Sequence, residues 1–106
     1  MTEHPKNTVK NRHPVFLNQY RELILDIARA HGMSHVRVFG SMAKNADTHN
    51  SDIDLLVKID PKRSLLDIID AKYEIENLTH RQVDIVTEAA LSPYIRQEVL
   101  RSAVIL

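Results

Sequence analysis

VRVFGSMAKNADTHNSDIDLLVK, residues 36 to 58, is the stretch on which the reading of this chain turns. A short run rich in β-branched residues, Val36 to Phe39, ends in Gly40-Ser41, and eleven residues after that serine a second apolar run opens with Asp52-Ile53-Asp54. In a strand, side chains alternate between faces, so Asp52 and Asp54 point one way while Ile53, Leu55 and Val57 point into a core. Two like charges about 7 Å apart repel by about 2 kcal/mol at an effective dielectric of 20. A hard divalent cation with oxygen ligands, such as Mg²⁺, turns that repulsion into attraction. The bland alternative is two carboxylates solvating an exposed sheet face.

Gly40 closes the first strand and precedes a helix-compatible segment. There backbone can approach a phosphate and a helix N-terminus can face it. Ser41 adds a hydroxyl donor at the same place. Alone, Gly-Ser is equally an ordinary turn and helix cap. Joined to the carboxylate pair, it puts phosphate donors and metal ligands on neighbouring strand ends, the equipment of metal-assisted phosphoryl or nucleotidyl transfer.

A third acid follows in Val83-Asp84-Ile85-Val86. A free carboxylate within an apolar strand is costly unless paired or metal-bound. Asp84 therefore either joins Asp52 and Asp54 on an adjacent strand or pairs with Arg81 or Arg37 on the sheet face.

Gly40-Ser41, its spacing to Asp52-Ile53-Asp54 and the later Asp84 together resemble the nucleotidyltransferase superfamily that includes DNA polymerase beta. The phrase GSMAKNADTHNSDIDLLV in so short a chain is similar to its minimal branch, the MntA-type antitoxins encoded beside HEPN-domain toxins. The similarity runs from about Val15 to the C-terminus. Met42 stands where family members often carry Arg, and Lys44-Asn45 where Arg-Gly is common. Lys44 keeps the positive charge, and Asn45 suits a left-handed turn.

The resemblance implies a nucleotidyltransferase fold. It also implies that Asp52, Asp54 and Asp84 hold Mg²⁺, with two ions expected, and that Gly40, Ser41 and Lys44 bind the ATP phosphates. The implied reaction is transfer of AMP to a tyrosine hydroxyl of a cognate HEPN RNase toxin, which neutralises it. Two rivals stand beside it: an antitoxin that blocks its partner by binding alone, and a nucleotidyltransferase acting on a small molecule such as an antibiotic.

Composition sets the outer bounds. A chain of 106 residues, 43% hydrophobic and 26% charged, suits one globular domain, expected over residues 14–106 behind a polar, flexible arm of residues 1–13. Lys plus Arg balance Asp plus Glu at 14 each, so no global basic field argues for direct nucleic-acid binding. The absence of cysteine fits a cytoplasmic setting, and no apolar run is long enough to span a bilayer.

The remaining elements follow from periodicity, as an α/β (α+β) protein with a small mixed sheet of three to four strands and helices packed on it. Pro14 begins an amphipathic helix bearing Phe16, Leu17, Tyr20, Leu23, Ile24, Ile27 and Ala28, and Gly32 closes it. Ser41 to Ala46 reads as a short helix and Asp47 to Ser51 as a polar loop. The second strand is Asp52 to Ile59, stopped by Pro61. Ser64 with Asp67 resembles a capping box for a helix burying Leu65, Ile68, Ala71, Ile75 and Leu78, widened by Ile69 and Tyr73. Glu74 and Glu76 read as its solvated side. Gln82 to Thr87 is the third strand, Ser92-Pro93 opens a last helix through about Ser102, and Ala103 to Leu106 forms a short edge strand or apolar tail. The six histidines form no metal-ligand spacing and read as surface or loop residues; His49 alone lies between the motif halves.

Overall fold

A computed structural model describes residues 15–40 and 52–106. The expected arm, the Pro14 helix start, the short helix over 41–46 and the polar loop over 47–51 lie outside the described residues.

Helix α1, Val15–Ala30, leads into strand β1, Met33–Phe39, and β2 is Ile53–Ile59. Helix α2, Leu65–Thr79, returns the chain to β3, Val83–Thr87. A single 3₁₀ turn, Glu88–Ala90, precedes α3, Pro93–Ser102, and the two-residue strand β4, Val104–Ile105. The sheet order is β3-β2-β1-β4. β1 runs antiparallel to β2 and to β4, whereas β2 and β3 are parallel and joined through α2. This is the mixed sheet with packed helices expected from the sequence.

Alternation along β2 works as anticipated: Ile53, Leu55 and Val57 are all buried and belong to one core with Leu17, Ile24 and Ala28 of α1 and Ala71 and Ile75 of α2. Both helices therefore cover the same face of the sheet. α1 ends at Gly32, whose φ of +76° is the left-handed conformation that a helix terminator needs. The Ser64 side chain accepts the Leu66 amide while Asp67 reaches back to the Ser64 N–H, so the capping box is complete.

Three local readings change. β1 begins at Met33 rather than Val36, because an extra residue between Ser34 and Arg37 bulges the strand, with His35 at φ +52°. The bulge lets Met33 and Val36, three residues apart, share the core face. Leu23 of α1 and Leu65 and Tyr73 of α2 are exposed rather than packed on the sheet. Tyr73 stands about 200° around the helix from both Ala71 and Ile75, so it cannot share their face. Glu74 is not simply solvated: its carboxylate lies 2.7 Å from His31 Nε2, and His31 Nδ1 lies 3.3 Å from Asp67. This histidine ties the end of α1 to α2.

Candidate active site

The site is built where three strand ends meet. β2 and β3 run parallel, so both begin at the same end of the sheet, and antiparallel β1 finishes there. The register places Asp54 opposite Phe39 on one side and opposite Asp84 on the other. Asp52 lies immediately ahead of β2 and is exposed, Asp84 is exposed on β3, and Asp54 between them is half-buried. All three line one cleft of about 500 Å³.

Gly40 follows directly on β1. Its φ is +73°, and a Cβ there would fall 2.5 Å from Asp54 Oδ2. The Asp54 carboxylate thus occupies the place a side chain would take, which makes glycine the residue that both the turn and the contact demand. Ser41, Lys44, Met42 and His49 lie outside the described residues.

Charge is concentrated here. Burial, reinforced by the negative charges of Asp84 and Asp52, pushes the Asp54 carboxyl above its ordinary value. Arg37, one of the two alternative partners for Asp84, instead donates to Glu88 at 2.5 Å. That pair holds Glu88 below the usual carboxylate range, the Arg37 hydrogen bond being the main cause.

Among the described residues, no three His, Cys, Asp or Glu side chains close into a ready-made metal cage. The donor set still suits Mg²⁺. That ion keeps several waters and is commonly bound through one or two carboxylates together with substrate phosphates, so a preformed all-protein cage is not required. Hard carboxylate oxygens that repel one another within a shared cleft supply the chemistry it needs.

The cleft has a further wall that periodicity did not disclose: Lys72 and Glu76 of α2, with Gln82 and Val83. Glu76 accepts the Val83 amide at 3.0 Å and so grips the start of β3, one residue ahead of Asp84. Lys72 Nζ lies 4.0 Å from Glu76. The i,i+4 Lys-Glu spacing was visible in the sequence, but the cleft the pair faces is formed by another element.

The sheet end thus gathers the Gly40 turn packed on Asp54, Asp84 in register with Asp54, and Asp52 just ahead of β2. Residues 22–106 match the family described as Polymerase beta, Nucleotidyltransferase, and the chain belongs to that family. A Methanocaldococcus jannaschii chain named for protein adenylyltransferase activity is 35% identical over 88 residues, covering 83% of this chain and 95% of its own length. Protein adenylyltransferase MntA of Thermococcus cleftensis is 34% identical over 73 residues, covering 69% of this chain and 74% of its own. The fold is similar to a solved minimal nucleotidyltransferase with a TM-score of 0.78 at 43% identity, over 85% of this chain and 92% of that one. A toxin-antitoxin crystal structure with AMP-PNP shares the fold at a TM-score of 0.67 and 20% identity, over 77% of this chain and 68% of that one.

Proposed function

We propose that this chain is a cytoplasmic antitoxin that works as a protein adenylyltransferase, moving AMP from ATP to a tyrosine hydroxyl of a HEPN-type RNase toxin. The observation that carries the reading is the pairing of Asp54 with Asp84 across β2 and β3 while Gly40 abuts the Asp54 carboxylate. The adenylyltransferase relatives support the type of transfer. The toxin-antitoxin structure with AMP-PNP, alike in fold, supports the nucleotide and the kind of partner.

In this reading Asp52 and Asp54 would hold Mg²⁺, and Asp84 with them would hold a second ion. Bound metal supplies Lewis-acid stabilisation of charge on the attacking and leaving oxygens. The Gly40 backbone and the Ser41 hydroxyl receive the terminal phosphates, and Lys44 offsets their charge. Asp84 orients the acceptor hydroxyl and draws its proton. The acceptor oxygen bonds to the α-phosphorus, the bond from that phosphorus to the α,β-bridging oxygen breaks, and pyrophosphate leaves in line.

Incubation of the chain with the protein encoded beside it, Mg²⁺ and labelled ATP tests this. Label on the partner that is lost with Asp52→Ala/Asp54→Ala supports transfer. Full neutralisation of the partner by that variant without label favours occlusion, and label on an aminoglycoside in place of protein favours the small-molecule reading.

A further inference from the structure

We propose that Lys72 is a nucleotide-positioning residue, its ammonium leaving Glu76 to pair with a phosphate oxygen of the nucleotide held in the cleft; this rests on the nucleotidyl-transfer reading above. Among the described residues that line the cleft, Lys72 is the one cation, facing Asp52, Asp54, Asp84 and Glu76. Such an excess of carboxylate holds a polyanion only where positive charge is brought in, and bound metal and Lys72 would share that task.

The geometry of the resting pair suits a residue that moves. Lys72 Nζ stands 4.0 Å from Glu76, at the outer limit of an ion pair, and its side chain is 39% exposed. A loose, solvated pair contributes little, so little is lost when the ammonium turns away. Glu76 is meanwhile held by the Val83 amide and stays in place. It acts as a parking site beside the cleft rather than as a permanent partner. A phosphate oxygen offers Lys72 a shorter, charge-assisted hydrogen bond than Glu76 does. The face of the Tyr73 ring, 5.5 Å from Nζ, gives the ammonium a further weak contact while it is parked.

The test is Mg·ATP binding by calorimetry to the whole chain and to Lys72→Met, Lys72→Arg, Glu76→Gln and the Lys72→Met/Glu76→Gln pair, with thermal melting of each. Lys72→Met is expected to weaken Mg·ATP by about 10-fold, the size of one hydrogen bond to a charged group. Lys72→Arg should restore affinity to within about 3-fold of the unaltered chain, since it returns the charge. Glu76→Gln keeps an acceptor for Val83 but releases Lys72, so it should tighten binding about 2-fold, and only when Lys72 is present. Equal affinity in Lys72→Met, a loss that arginine does not restore, or a Glu76→Gln effect that survives without Lys72 overturns the proposal. Label transfer by the unaltered chain together with unchanged affinity in Lys72→Met overturns this inference and leaves the function standing. Lysine-dependent binding without transfer to any acceptor does the reverse.

Discussion

At Gly40 two demands coincide, a left-handed backbone and an Asp54 oxygen lying where a Cβ would go. Gly40→Ala is therefore expected to destabilise the fold by about 1–3 kcal/mol in urea denaturation, from strain at a positive φ. It should also displace the Asp54 carboxylate, and transfer should fall by more than the folded fraction does. Asp54 itself carries a conflict between site and fold. Burial and two like charges let its folded carboxyl keep a proton to higher pH than the unfolded one, so ionising it weakens the native state. In EDTA, stability contributed at this position falls as pH rises from the ordinary 3.8 through the raised folded value. Asp54→Asn should remove that loss and raise the melting temperature at neutral pH relative to the unaltered chain, while abolishing transfer. Melts in EDTA at about pH 4 and pH 7 measure the difference. The three aspartates were legible in the sequence because Asp54 and Asp84 interrupt apolar runs, where an acid needs a reason, and Asp52 shares the strand face of Asp54. Lys72 was not, since a lysine on a helix is ordinary until another element places a cleft beside it.

Among the elements, one imidazole joins the end of α1 to α2 beside the apolar core the two helices share. The Glu74 hydrogen bond, opposed by burial and helped by Asp67, holds the His31 pKa above 6.5. Asp67 is held below its ordinary value: burial pushes it up, but the His31 and Ser64 hydrogen bonds and the charges of Arg63 and His31 outweigh that. A raised histidine stabilises fully below its unfolded value of 6.5, and that stabilisation is lost as pH rises through the folded value. His31→Gln should accordingly flatten the decline in unfolding free energy between about pH 6 and pH 8, read by denaturant titration at both. Helix ends were legible where local chemistry writes them, as in the Ser64–Asp67 box and at Gly32. The bulge at His35 was hidden because it breaks the two-residue period by which strands are found. Leu65 shows a related limit: helical spacing assigns a residue to a face, not to the turn at which packing begins.

Across the whole molecule, the last residues of the sequence complete the sheet. Leu106 is buried, its amide donates to Val36 at 3.0 Å, and its carbonyl accepts from Arg21 Nε at 2.5 Å, while neighbouring Ile105 is 76% exposed. Leu106→Ala should thus cost about 2–3 kcal/mol of stability, and Ile105→Ala about 0.5 kcal/mol or less. The pair of substitutions separates an integral edge strand from an apolar tail. The sequence left those two options open because two residues are too few for periodicity to decide; the β1 edge that receives them decides it.

In the proposed reaction the strand-end carboxylates direct attack at the α-phosphorus of ATP. ATP labelled at the α-phosphate and ATP labelled at the γ-phosphate, offered in parallel with Mg²⁺ and the partner protein, test it most directly. Label from the α position should reach the partner, none should come from the γ position, and Asp84→Asn should abolish the transfer. Label arriving from the γ-phosphate, or α-label transfer undiminished in Asp84→Asn, would contradict the account.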